Sequence, residues 1–141
     1  MATNTAQVVP AARQDPRQVA NTLKKTVNYN DAGIATGLAF DNALPMGAFI
    51  FQVLVEIVVA FNAGTTNVLT VGTVSTAYNN MVAAGDVNEA ATGVTDVLTG
   101  RGRALTAAAD IVPYVKFTET GTAATTGQAI VALLFDGGWQ S

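Results

Sequence analysis

The chain contains neither cysteine nor histidine among its 141 residues. These absences exclude disulfides, thiol nucleophiles, imidazole acid–base chemistry and most zinc or haem sites. Charged residues are also scarce, at 12% against a typical share of about 25%. The composition argues against an enzyme and against a bound metal or cofactor. The length predicts one domain, and the low charge predicts that much of its surface is hidden in contacts.

Segments that would target the chain to a membrane are not apparent. The first apolar run, AQVVPAA, is short, is broken by Pro10 and has no basic residue ahead of it. The longest apolar run covers residues 48–61, which is fewer than the roughly 20 residues needed to span a bilayer. We therefore expect a soluble protein without a membrane partner.

Charge is distributed unevenly along the chain. Through residue 25 there are four cationic side chains and one anionic side chain, whereas the remainder has three and nine. We interpret residues 1–23 as an extended N-terminal arm and residues 24–141 as the folded domain. The basic arm either reaches an acidic partner or nucleic acid, or carries solvated charges only. The acidic body argues against a general nucleic-acid-binding surface.

The run AFIFQVLVEIVVAF at residues 48–61 has only two polar members, Gln52 and Glu56. Its β-branched and aromatic content predicts a strand whose odd positions all face the core. Fourteen regular residues would extend about 46 Å, so we expect a bulge or bend near Gln52. The even positions include Ile50, Leu54 and Val58, which we expect a neighbouring subunit or the arm to cover.

The remaining sequence alternates short β-favouring pieces with turn residues, which predicts an all-β, jelly-roll-like sandwich of about eight strands. Residues 75–86 form either a short helix or an irregular loop. The turn chemistry predicts that neighbouring strands pair as hairpins. The predicted pairs are 48–61 with 68–73, 93–99 with 103–107, and 111–118 with 128–135.

Candidate catalytic or ligand-binding patterns are weak. Glu56 is the only carboxylate within a strongly apolar run, and we interpret it as an outward or subunit-contact residue. The segment DVNEAATG at 86–93 begins like a calcium loop, but Ala91 and Val97 stand where that loop requires glycine and glutamate. No small-molecule substrate is therefore predicted.

Two further features are consistent with contacts between proteins. The turn GRGR places Arg101 and Arg103 where they can meet an acidic neighbour. Trp139 near the C-terminus either folds back on the body or anchors a partner, and the sequence leaves both readings open.

Three segments together carry a resemblance to a known class of protein. They are AFNAGTTNVLTVGT (60–73), AAGDVNEAATGV (83–94) and IVPYVKFTETGTAATTGQAIVALLF (111–135). Their order resembles small structural proteins of tailed-bacteriophage virions, several of which are capsid decoration (cement) proteins. The resemblance covers about residues 26–136, and its turn-rich motifs specify a β fold better than a role.

The resemblance implies a jelly-roll-like domain that binds the outside of an icosahedral head as a homotrimer and stabilises it. Its partners would be other copies of itself and the major capsid protein, and it would reside in the virion after synthesis in the host cytoplasm. The alternatives are a head–tail adaptor, a tail or head-fibre base protein, and a carbohydrate-binding β module. The residues predicted at the oligomer or capsid interface are Arg13, Arg17, Lys24, Lys25, Ile50, Leu54, Val58, Arg101, Arg103 and Trp139.

Overall fold

The computed structural model describes residues 21–100 and 109–136. Within these ranges there are seven strands and no helix, and hence no helix that could cross a membrane. The strands are β1 (Asn21–Asn28), β2 (Leu38–Ala39), β3 (Ile50–Val59), β4 (Thr66–Gly72), β5 (Gly93–Val97), β6 (Tyr114–Thr120) and β7 (Gln128–Phe135). The first three residues of β1 belong to the stretch that we interpreted as the arm.

The strands form two antiparallel sheets. The four-stranded sheet has the order β1-β7-β3-β5, and the three-stranded sheet has the order β2-β6-β4. An isolated bridge between Val71 and Val82 lies beside β4, at the position of an eighth strand. The predicted all-β, sandwich-like fold is therefore confirmed. The strand predicted at 103–107 lies outside the described residues, and so does its hairpin with 93–99.

Consecutive strands lie in opposite sheets throughout the order β1 to β7. The predicted hairpins of 48–61 with 68–73 and of 111–118 with 128–135 are therefore wrong, because β3 pairs with β5 and β7 while β4 pairs with β6. Both linking loops have turn residues, but each loop crosses the gap of about 10 Å between the sheets. Turn residues indicate that the chain reverses, and they do not say in which sheet the next strand lies.

The two crossing loops bind each other at one end of the sandwich, which we call the turn end. The backbone N–H of Gly64 donates to the carbonyl of Thr122 over 2.8 Å. The Asn62 Oδ1 accepts hydrogen bonds from the backbone N–H groups of Thr125 and Thr126, at 2.7 and 3.0 Å. Several polar groups of the loops are thus satisfied within the chain, and these bonds join the two loops.

The core lies between the sheets and consists of their inward, apolar side chains. The Phe61 and Phe117 rings meet with centroids 4.6 Å apart. Gly127 packs so closely on Phe61 that a Cβ at this position would overlap the ring, and its φ is +148°. The largest fully buried side chains are Leu44, Ile50, Leu69, Met81, Leu133, Val27, Val53, Val55, Val71, Val82, Val115 and Val131.

The bulge predicted near Gln52 is confirmed. The pairing of β3 with β7 shifts register between Ile50 and Gln52, and again between Ile57 and Val59. A bulge inserts one residue that has no counterpart on the partner strand, so it reverses the side on which the preceding residues lie. The strand therefore changes faces at each of its two ends.

The shift corrects part of the predicted core face. Val53, Val55 and Ile57 are buried as predicted, but Phe49 and Phe51 are 46% and 40% exposed. The even-numbered Ile50, which we predicted on the contact face, is fully buried instead. Of the remaining odd positions, Val59 is exposed and Phe61 is buried.

Candidate interaction surface

About half of the outward face of the three-stranded sheet is covered by the chain itself, and the other half exposes Thr66, Thr118 and Thr120. Residues 75–86 form no helix, so the loop alternative is the right one. The Tyr78 ring stacks on Tyr114 with centroids 4.5 Å apart, and Lys116 Nζ donates to the Thr76 carbonyl over 2.9 Å. Thr70, which points outward between these groups, is consequently buried. This sheet has little apolar surface left for a partner.

The outward face of the four-stranded sheet is different, because apolar side chains lie side by side on it. The registers place Lys24, Ala132, Leu54 and Asp96 in one row across β1, β7, β3 and β5. The next row, two residues further along each strand, contains Thr26, Ile130, Glu56 and Val94. We define the outer face by its large apolar members, which are Leu54, Val58, Val94, Leu98, Ile130 and Leu134.

The outer face is open to solvent at its β5 edge. Val94 and Leu98 are 64% and 67% exposed, the highest values among the large exposed apolar side chains of the described residues. A shallow concavity of about 220 Å³ lies at its centre, lined by Lys24, Leu54, Glu56, Val94, Ile130 and Ala132. One ammonium and one carboxylate in an apolar surface can orient a protein partner. Among the described residues, no group of three or more acidic side chains could hold a metal ion.

A second exposed apolar cluster lies at the end of the sandwich opposite the turn end. Asn21 and Ile50 both pair with Phe135, so the first residue of β1, the first of β3 and the last of β7 lie in one row. We call this the arm end, because the N-terminal arm joins β1 here. Met46, Phe49 and Phe51 are exposed apolar residues of this end, and we call them the arm-end patch. Val74, which lies shortly after the end of β4, is exposed at this end as well.

Two aspartates hold the backbone of the arm-end patch. The backbone N–H of Phe49 donates to Asp136 Oδ1 over 2.9 Å, and the N–H of Asp136 donates back to the Phe49 carbonyl over 3.0 Å. The backbone N–H of Met46 donates to Asp110 Oδ1 over 2.9 Å. The patch is thus fixed in place, although its side chains are exposed.

The structure brings together only some of the predicted interface residues. Lys24, Leu54 and Val58 lie on the outer face. Lys25 is half-buried and pairs with Asp41 at 3.0 Å, on the inward side of β1. Ile50 lies in the core. The remaining predicted residues, Arg13, Arg17, Arg101, Arg103 and Trp139, lie outside the described residues.

Sequence reasoning missed the β5 and β7 members of the outer face. The signal for β7 was present, because QAIVALLF at 128–135 is apolar at even positions as well as odd ones, as residues 48–61 are. A strand that is apolar on both faces, such as the one containing Ile130 and Leu134, needs cover on both. No comparable signal was available for Val94 and Leu98, because Asp96 stands between them on the same side of a short strand.

The calcium-loop pattern has a structural role instead. Asp86 Oδ2 accepts hydrogen bonds from the Ala83 backbone N–H at 2.8 Å and from the Thr99 hydroxyl at 2.5 Å. Glu89 is only 7% exposed, and its Oε1 accepts the backbone N–H of Leu69 over 2.8 Å. The Glu89 carboxylate thus accepts the backbone N–H of Leu69 on the edge of β4 that does not pair with β6. A strand of another chain therefore cannot use this N–H for pairing.

No protein-family model and no curated protein matches the chain. The solved structures that are similar in fold include two from phage capsids. A chain of the cyanophage Pam1 capsid asymmetric unit aligns at 20% identity with a TM-score of 0.56, over 96% of this chain and 97% of that one. A chain in the acid-stable capsid structure of Helicobacter pylori bacteriophage KHP30 aligns at 19% identity with a TM-score of 0.58, over 84% and 87%. At these identities the likeness shows the fold alone.

Proposed function

We propose that this chain is a structural protein of a bacteriophage virion that decorates the outside of the head. In this proposal it assembles as a homotrimer, binds the major capsid protein and stabilises the shell. The chain is made in the host cytoplasm and remains on the capsid surface. It acts by burying surface and needs no cofactor.

The outer face is the single observation that carries this proposal. Four strands spaced about 4.8 Å apart and eight residues rising about 3.3 Å each give a face of about 19 by 26 Å. In a closed ring of three copies, the outer face of one copy would meet a different patch of the next. Such a contact would bury about 1,000 Å² in total, which is the lower limit for a specific protein interface. A surface of this size is well suited to association that many copies reinforce on a particle, and poorly suited to a tight isolated pair.

The comparisons support a role in a capsid. Both similar chains belong to capsid structures. In each alignment, the fraction of this chain that is aligned nearly equals the fraction of the similar chain that is aligned. The chains therefore have closely similar lengths. A likeness in fold that extends over most of both chains supports a structural role in a capsid.

The charge distribution supports contacts beyond the outer face. Each folded body is acidic, while the arm contains Arg13 and Arg17. A basic arm that crosses from one copy to an acidic neighbour, or to the shell, would bring opposite charges together. The same reasoning applies to Arg101 and Arg103. Trp139 provides a further candidate anchor, since tryptophan is enriched at the centres of interfaces.

The test has two steps, the first of which measures self-association. Sedimentation velocity and light scattering of the full chain at micromolar concentration should give a single oligomer with the mass of three copies. A monomer across the micromolar range would count against the proposal.

The second step adds the protein to shells assembled from the major capsid protein of the same phage. We expect saturable binding, a higher disassembly temperature of the shell, and density on the head surface in an electron-microscopy map. Density at the head–tail junction, on the tail or at a head-fibre base would assign the chain to one of those places. Glycan binding in the absence of shell binding would favour a carbohydrate-binding module.

A further inference from the structure

The two ends of the sandwich differ in chemistry, and this difference bears on how the molecule is oriented. The crossing loops of the turn end, residues 62–66 and 121–126, contain only asparagine, alanine, glycine and threonine. Several of their polar groups bond across from one loop to the other. The arm end has Met46, Phe49 and Phe51 exposed. The turn end is thus polar and joined by internal hydrogen bonds, while the arm end leaves apolar area uncovered.

The chain termini add a second difference between the ends. Twenty residues precede Asn21, which lies at the arm end opposite Phe135. Extended, they can reach about 66 Å, well beyond the length of the sandwich itself. The arm therefore starts beside the arm-end patch and is long enough to run along a surface on which that patch rests. It contains two arginines and one aspartate.

Resting on the proposed function, we infer that the arm-end patch is the contact with the shell, and that the turn end points away from it. The partner is a protein surface that is apolar where it meets Phe49 and Phe51 and carries carboxylates where the basic arm passes. The outer face is a face of the four-stranded sheet and runs parallel to the strands, whereas the arm-end patch lies at the strand ends. The two surfaces are therefore roughly at right angles to each other. In a closed ring of three copies whose symmetry axis runs parallel to the strands, all arm ends would lie on the same side of the ring.

The first test separates the shell contact from self-association. The full chain with Phe49→Thr and Phe51→Thr should keep the oligomer seen by sedimentation velocity, because these residues lie beyond the strand rows that form the centre of the outer face. Its Kd for purified shells should rise at least tenfold, since two large apolar side chains are lost from the contact. Threonine retains the strand propensity of the bulged region.

Controls make this result specific. Ala123→Thr changes an exposed residue in a loop of the turn end, far from the arm-end patch, so it should alter neither the oligomer nor shell binding. Because both phenylalanines are partly buried, urea unfolding should verify that the double variant folds. Met46→Gln is a milder second variant of the patch, and it should weaken shell binding in the same direction.

The second test uses the absence of cysteine in the chain. Ala123→Cys places one thiol in an exposed turn-end loop, where the protein is labelled with biotin-maleimide before it is added to shells. We expect streptavidin to bind the decorated shells as fully as it binds the free protein.

Two results would overturn this inference and leave the proposed function standing. One is that streptavidin cannot bind the labelled protein on decorated shells. The other is that the patch variants bind shells as tightly as the unmodified chain does. Loss of the oligomer in a folded patch variant would also overturn it, because the patch would then belong to the self-association surface. Failure of the unmodified chain to bind shells would refute the proposed function, and this inference with it.

Discussion

Replacing the two most exposed apolar residues of the outer face should weaken self-association without unfolding the protein. In the double variant Val94→Thr and Leu98→Gln, the first change keeps the β-branched shape and the second keeps approximately the side-chain length. About two thirds of each side chain is exposed in the single chain, so this part is what association can still bury.

The expected magnitude follows from that exposed area. Full burial of an aliphatic side chain contributes about 1.5–3 kcal/mol, and two thirds of this for Leu98 is about 1–2 kcal/mol. Val94→Thr removes less apolar area, but its added hydroxyl must lose its water when the contact forms. We expect this change to weaken the contact by about a further 1 kcal/mol. Together the loss of about 2–3 kcal/mol per contact corresponds to a roughly 30- to 150-fold higher dissociation constant.

Sedimentation velocity over a concentration series measures this change directly. Val74→Thr is the matched control, because it makes the same valine-to-threonine change at an exposed position outside the outer face. Urea unfolding at a concentration where both proteins are monomeric should differ by less than about 0.5 kcal/mol. If the double variant associates with an unchanged dissociation constant, the outer face is not the self-association surface and the reasoning from its apolar rows fails.

Three further predictions concern the stability of the single chain, measured by urea unfolding. Glu89→Ala should lower the free energy of unfolding by about 1–3 kcal/mol, because it leaves the buried N–H of Leu69 without its acceptor; a loss below about 0.5 kcal/mol would contradict this role. Gly127→Ala should lower the free energy of unfolding clearly more than Gly33→Ala does. Both glycines have positive φ, but only at Gly127 would the added methyl group overlap an aromatic ring. Equal losses of stability would show that Gly127 is not packed tightly on Phe61. Tyr78→Ala should cost about 1–3 kcal/mol and raise the exposure of β6 in hydrogen exchange, because its ring covers that strand; unchanged exchange would mean that the loop does not protect it.

The faces of β3 were predictable from the sequence in the middle of the strand but not at its ends. The residues around Val55 alternate as the sequence predicts, because every second side chain of an extended strand faces the same side. The excess length of the apolar run predicted a bulge, and the register shift confirms one. The exact consequence could not be predicted, because a one-residue shift exchanges the faces of everything beyond it. Ile50 and Phe51 therefore have the opposite exposure from the one predicted.

The candidate site was predictable to a similar degree. Leu54 and Val58 were assigned to a second apolar face, and they lie on it. Their neighbours Ile130 and Val94 come from strands that are distant in sequence, so only the strand order brings them alongside β3. Local spacing contains no information about which strand lies next to which in a sheet.

The sequence by itself determined the all-β class, the exclusion of cysteine and histidine chemistry, and the presence of one strand too apolar to be solvated on both sides. These properties depend on side-chain type and on the period-two geometry of a strand, which are local. Tertiary structure decided that each loop crosses to the other sheet, that a loop covers part of the three-stranded sheet, and that the apolar face of the four-stranded sheet is left open. These outcomes depend on long-range pairing, where the free energy of packing two whole sheets outweighs the preference of any single turn.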